Sequence, residues 1–282
     1  MLLRHTPSNC SRYLLQWRIK VTNHPQDLSW ISFEKLVSIA ERYFTSTLNR
    51  LVEEQNSRPE PTSVLVRAVL LNKTFEEVKE LDNNAALLGT LRTNIGNFHE
   101  AILGSVAGWE HSGKKGGVID LYSNDRVPLA ADRYVVAEVK MRYNTIKASD
   151  EAKTYDRLRD AYRSRGGGGE CVSYIFQIVP PRDEPTDEPW VVSGRNPDPN
   201  VRRADGTTAY HLVTGDPDAF YDLFKILPDV FVEAFERIQT KKRQKNSSYD
   251  FVDIKNSVSA EFIQRALEGT IPSSSALKDV TN

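Results

Sequence analysis

The sequence predicts an α/β protein: a single domain in which a layer of helices precedes a sheet-bearing core. Three observations carry that prediction. Apolar residues recur at helical spacing through most of 32–106, and the pattern then changes to short strands between Gly116 and Lys140. An apolar strand at Cys171–Val179 is followed by two more helical patterns. At 282 residues the chain holds one large domain or two small ones, and no internal repeat divides it.

In chain order, residues 1–26 read as a disordered tail. They carry Arg4, Arg12 and Arg18 but no continuous apolar core or small-residue cleavage site, which argues against a signal peptide. Ser32 is expected to cap the first helix, whose apolar stripe is Leu36, Ile39, Tyr43, Leu48, Leu51 and Val52. Pro59 and Pro61 end it and open a second helix over roughly 62–81. A third, over about 85–106, lines up Ile95, Phe98, Ile102 and Leu103. Gly116–Asp120 and Tyr134–Lys140 read as the two strands of a hairpin. A helix over 149–163 follows, striped by Tyr155, Leu158 and Tyr162, with Ser149 as its N-cap on the plainer of two readings.

Gly166–Gly169 is a loop, and Cys171–Val179 a strand stopped by Pro180 and Pro181. Residues 181–208, rich in Pro, Asp, Arg and Gly, form a long excursion with one short strand at Trp190–Val192. Tyr210–Val213 is expected to be the last strand. Asp216-Pro217 opens a helix to Leu227, and Pro228 opens another to about Gln239. Their aromatics Phe220, Tyr221, Phe224, Phe231 and Phe235 serve either the core or a dimer contact. The domain is placed at 27–268, with 269–282 a flexible tail.

Composition narrows the classes. A hydrophobic share of 39% and a charged share of 27% are ordinary for a globular protein. No apolar run reaches the length of a membrane span. Cys10 and Cys171 are the only cysteines, against a disulfide framework and in keeping with a reducing cytoplasm. A net charge of −1 gives no global pull toward nucleic acid, so any such pull must be local.

The chemistry concentrates in the hairpin. Residues two apart on a strand share a face and lie roughly 6.6 Å apart, so Glu138 and Lys140 emerge together while Val135, Ala137 and Val139 face a core. With Asp120 on the partner strand, two carboxylates and an ammonium converge. That set can hold Mg²⁺ and activate water against a phosphodiester. Asp120, Glu138 and the Val139 carbonyl are the candidate ligands, and Lys140 the group that orients or deprotonates the attacking water. Glu100, on the preceding helix, is a candidate for a second metal or a metal-bound water. The same residues also admit a plain reading, a solvated Glu–Lys pair on a strand and a surface helix glutamate.

A basic stripe follows. From Arg133 to Arg165 nine Lys or Arg stand against five Asp or Glu. Arg142, Asn144, Thr145, Lys147, Ser149 and Lys153 are candidate contacts to phosphates or base edges. Arg142, Arg195, Arg202 and Arg203 are candidate guanine readers, since Arg bonds G O6 and N7 together. Gly166–Gly169 lacks the Lys-Ser/Thr of a phosphate loop. His99 and His111 lack partners at metal spacing and read as structural or exposed, and Lys241, Lys242, Arg243 and Lys245 as a solvated helix end.

The run from Lys140 through Met-Arg-Tyr-Asn-Thr-Ile-Lys-Ala-Ser-Asp-Glu-Ala-Lys-Thr to Tyr155 resembles type II restriction endonucleases that cleave GGNCC or GGWCC. Trp30-Ile31-Ser32, Ile95 to Glu100 and Leu212 to Gly215 resemble segments of that family in matching order. The resemblance covers roughly 28–240. It implies a PD-(D/E)xK nuclease core, a central mixed sheet flanked by helices. It also implies Mg²⁺-dependent hydrolysis of double-stranded DNA by a homodimer, paired with a DNA methyltransferase of the same specificity. By motif, Asp120, Glu138 and Lys140 become the catalytic triplet and Glu100 the helix carboxylate. Ile119, not Pro, precedes Asp120, a departure from the motif. Two other readings stay open: a structure-selective repair or recombination nuclease of the same fold, and a catalytically inactive DNA-binding module.

Overall fold

A computed structural model describes residues 26–52, 60–112, 119–243 and 265–266. Nearly all of the expected N-terminal tail, both hairpin glycines (Gly116 and Gly117), Lys245 and the C-terminal tail lie outside the described residues.

Helix α1 (Phe33–Val52) starts where expected, with the Lys35 N–H donating to Ser32 Oγ at 3.3 Å. The expected second and third helices are divided differently. Helix α2 (Pro61–Leu71) stops at Asn72, which adopts a left-handed conformation at φ 50°, and α3 runs unbroken through Phe75–Leu103. Thr74 and Glu77 form a reciprocal capping box, so the helix restarts there and not near Ala85.

The sheet has six strands in the order β1-β2-β3-β4-β6-β5. Strands β1 (Trp109–His111), β2 (Leu121–Ser123) and β3 (Tyr134–Arg142) are joined antiparallel, so β3 has the expected antiparallel partner, but that partner is Leu121–Ser123 and not Gly116–Asp120. Strand β2 begins only at Leu121, because Ile119 and Asp120 bend into it. Strand β1 was not expected. Helix α4 (Ala148–Ser164) then crosses over to β4 (Cys171–Val179), parallel to β3. Ser149 is not its cap: Lys147 occupies that position, without a side-chain bond.

The 181–208 excursion is more ordered than expected. It contains β5 (Asp187–Pro189) and β6 (Val201–Asp205), the latter parallel to β4, while Trp190–Val192 is not a strand. The expected strand at Tyr210–Val213 is helical, part of α5 (Gly206–Thr214). Asp205 caps it by accepting the Thr208 N–H at 3.1 Å, and Gly215 ends it at φ 76°. A Cβ at Gly206 would lie 2.7 Å from the Ile178 carbonyl, so only glycine lets α5 start against β4. Pro228 does not break the last helix, α6 (Ala219–Arg243). Leu223, Leu227, Val230, Ala234 and Ile238 form one continuous buried stripe that holds it together.

The sheet separates two apolar clusters. The larger combines Val135, Ala137 and Val139 of β3 with residues of α1, α3, α5 and α6. Phe231 and Phe235 stack beside Phe44 of α1 there, which assigns the late aromatics to the core. The smaller packs Tyr155, Leu158 and Tyr162 of α4 on Val136 and Ile175. No helix among the described residues is long and apolar enough to cross a membrane.

Candidate active site

The register of β2 on β3, Leu121 opposite Ala137, sets Asp120 across from Glu138 on the α4 side of the sheet. Backbone bonds fix it: the Asp120 N–H donates to Ala137 O at 3.1 Å, and the Val139 N–H donates to Asp120 Oδ2 at 2.8 Å. Glu138 is 6% exposed, and its Oε1 accepts from Lys140 Nζ at 2.7 Å and from Arg157 Nη2 at 3.2 Å. A carboxylate so deep costs several kcal/mol without partners, and the two cations offset that. Arg157 comes from α4, where its Nη2 also lies 3.4 Å from Thr154 Oγ1.

Glu100 is half-buried in the last turns of α3, which crosses the end of β3 with Gly96 facing Met141. Burial first and the charge of Asp120 second push its carboxyl up to about 7, against a pull from Lys140 that outweighs a further small push from Glu138. Asp120 is also raised, by burial and by Glu138, with the Val139 N–H, Lys140 and Arg157 opposing. The hairpin and the helix thus bring together Asp120, Glu138, Lys140 and Glu100 as the sequence predicted.

Three carboxyl groups within reach of one another's charge form a hard-oxygen, electronegative site. Among the described residues, Asp120 Oδ1, Glu138 Oε2 and both Glu100 oxygens accept no hydrogen bond. That donor chemistry fits a divalent cation. The side chains are not gathered to ligand distance, and no group of three among the described residues forms a ready-made metal cluster.

The candidate DNA contacts follow directly on β3. Arg142, Asn144, Thr145, Lys147, Ser149 and Lys153 are all exposed on the turn into α4 and its first turns. Thr145 Oγ1 donates to Arg142 O at 2.7 Å, and Lys153 pairs with Asp150 at 3.6 Å. The Arg142 guanidinium has no partner among the described residues. The other three candidate guanine readers are engaged. Arg195 grips Asp156 with two bonds of 2.9 and 2.5 Å, Arg202 holds Asp187 at 2.6 Å, and Arg203 pairs with Glu188.

His99 is buried, its Nδ1 lies 2.8 Å from Tyr210 Oη, and burial pushes its pKa down to about 4, as a structural histidine requires. His111, on β1, is also lowered, by burial first and then by Arg42 and Lys35. Lys241 pairs with Glu41 of α1 rather than standing free. Sequence reasoning missed Arg157 and Gln177. Gln177 is buried on β4 in register with Lys140. The signal for Arg157 was its place beside the Tyr155–Leu158–Tyr162 stripe, which had to lie on the Glu138 face.

A family model described as Eco47II restriction endonuclease matches residues 29–236. The type II restriction enzyme Eco47II of Escherichia coli is 34% identical over 148 residues, 49% of this chain and 58% of that enzyme. The type II restriction enzyme Sau96I of Staphylococcus aureus is 26% identical over 168 residues, 56% of this chain and 59% of that enzyme. The chain thus spans little more than half the length of either relative.

Proposed function

Because the chain belongs to the Eco47II restriction endonuclease family, we propose that it is a type II restriction endonuclease. Its substrate is double-stranded DNA at a short GGNCC-like palindromic site, and its product is a cleaved phosphodiester. The observation that carries this reading is the approach of Asp120, Glu138 and Lys140 on one sheet face, with Glu100 beside them. Two relatives with type II restriction enzyme names support it.

Asp120, Glu138 and the Val139 carbonyl would hold Mg²⁺, with Glu100 assisting, and the bound cation supplies charge neutralisation and a more acidic water. The protein's own groups do the rest. The Val139 N–H keeps the Asp120 carboxylate turned into the site. Lys140, which donates to Glu138, would orient the attacking water and face charge developing on the phosphate oxygens. Arg142 and the exposed polar residues through Ser149 would meet the phosphates and base edges of a duplex entering this edge. The protein acts in the cytoplasm as a homodimer, whose two-fold axis matches that of the target, beside a methyltransferase of the same specificity.

The test is digestion of plasmid DNA by the purified protein with Mg²⁺ or EDTA, followed by sequencing of the ends. Discrete Mg²⁺-dependent ends sharing one GGNCC-type site are expected. Branch-dependent cutting would instead mark a repair nuclease, and salt-sensitive binding without products an inactive module.

A further inference from the structure

Strand β4 is buried along its length up to Val179, and most of its side chains are apolar. They alternate in direction. Val172, Tyr174, Phe176 and Ile178 enter the larger apolar cluster, and Cys171 and Ile175 the smaller one under α4. Gln177 continues the second row. The parallel register sets it directly beside Lys140, as it sets Ile175 beside Glu138, so Gln177 shares the face that carries both. It is 5% exposed, yet its side-chain amide has no hydrogen-bond partner among the described residues. Every other buried Ser, Thr, Asn, His, Asp or Glu side chain among them has one. Asn94 donates to Thr47, His99 meets Tyr210, Ser173 donates to Asn200 O, and Asp205 accepts from Thr186. An unpaired amide at a buried position costs free energy that an apolar side chain of the same shape does not. Such a group beside reacting residues is accounted for when a ligand completes its bonds.

We propose that Gln177 binds the substrate: its side-chain N–H donates to a non-bridging oxygen of the scissile phosphate, beside the oxygen that Lys140 faces. The role rests on the nuclease reading given above and adds a residue to it. Charge explains why an amide serves here. A phosphodiester brings a negative charge to a face that already holds Asp120, Glu138 and Glu100. Lys140 and Arg157 both donate to Glu138 Oε1, and a third cation on this face would be drawn to the same carboxylate. A glutamine offers two N–H donors and no charge, so neither Glu138 nor Asp205, its register neighbour on β6, captures it as an ion pair. Reach is suitable as well. Neighbouring strands lie about 4.8 Å apart, and the Gln and Lys side chains leave them on the same face. One phosphate, with two non-bridging oxygens, can therefore accept from both.

The experiment compares the full chain with Gln177→Met, which keeps the length of the side chain and removes both donors. Three quantities are read: single-turnover cleavage with Mg²⁺ of a duplex carrying the site mapped by digestion, binding of that duplex in EDTA, and melting temperature. Cleavage is expected to slow by ~10²-fold, as when one preorganised donor to a developing charge is lost. Binding should stay within about threefold, because one phosphate contact among many is removed. The melting temperature should hold or rise, since an unpaired amide has left a buried position. Gln177→Glu, of the same shape, turns an acceptor toward the phosphate and is expected to cleave more slowly still. Cleavage by Gln177→Met at the wild-type rate, or slowed cleavage together with a lower melting temperature, overturns the assignment. So does a Gln177→Glu protein that cleaves faster than Gln177→Met. A wild-type protein that leaves every duplex intact overturns the nuclease reading and this role with it, a result distinct from an active wild type matched by an equally active variant.

Discussion

On one face of β3, Val135, Ala137 and Val139 join a cluster fed by α1, α3, α5 and α6; on the other, Glu138 and Lys140 stand under α4 beside Val136. The same nine residues therefore do two kinds of work. The apolar face contributes stability through area removed from water. The polar face holds a buried carboxylate that needs Lys140 and Arg157 to be tolerable, and so lowers stability in exchange for a site. Because strand side chains alternate, the two roles are separable by single substitutions a few residues apart.

The largest expected effect is on the polar face. Lys140→Ala should lower Mg²⁺-dependent cleavage by ~10³-fold or more, about 4 kcal/mol in the barrier, with an unchanged circular dichroism spectrum. Val135→Ala, on the opposite face of the same strand, should do the reverse. It is expected to cost roughly 2 kcal/mol of stability in urea unfolding while the folded enzyme cleaves within about threefold of wild type. A Lys140→Ala protein that cuts at the wild-type rate would remove Lys140 from the chemistry.

Much of this division was legible in the sequence. The alternation of Val135, Ala137 and Val139 with Glu138 and Lys140 gave the two faces of β3, and Asp120 lies across from Glu138 although it sits in the bend before Leu121 and not on the strand expected at Gly116–Asp120. What failed depended on partners far along the chain. Strand β6 reads Val-Arg-Arg-Ala-Asp, polar by composition, and is a strand because β4 pairs with it and Asp187 and Glu188 neutralise its arginines. Tyr210–Val213 has strand-favouring residues, and a short apolar run does not distinguish strand from helix. The decision was made at the ends, by Asp205 as cap and Gly215 as stop. Arg157 was hidden for a similar reason: its partner Glu138 is nineteen residues away, on another element.

A smaller effect is expected where α4 touches the polar face. Arg157→Ala removes one of the two cations on Glu138 Oε1 but leaves Lys140. Single-turnover cleavage is expected to slow by about tenfold, roughly 1.4 kcal/mol, with Arg157→Lys recovering part of it. If Arg157 is only a surface residue of α4, alanine there will leave the rate and its Mg²⁺ dependence unchanged.

The smallest effect separates two neighbours on α3. His99 faces the core and Glu100 the site, and their surroundings push them in opposite directions, His99 down to about 4 and Glu100 up to about 7. In the unfolded chain His99 takes up its proton near 6.5, so its contribution is intact above that value and is lost as pH falls through about 4. Glu100 ionises near 4.5 when unfolded. Between 4.5 and 7 the folded state binds the extra proton, so the stability tied to Glu100 is present at low pH and lost as pH rises through about 7. Glu100→Gln keeps the shape and removes the charge. At pH 8 without divalent cation it should raise the melting temperature by a few degrees, on the order of 1 kcal/mol after allowing for solvent screening. At pH 5 the gain should nearly vanish, and added Mg²⁺ should stabilise wild type more than the variant. Equal melting of the two proteins at pH 8 would mean that Glu100 does not feel Asp120 and Glu138, and would take it out of the site.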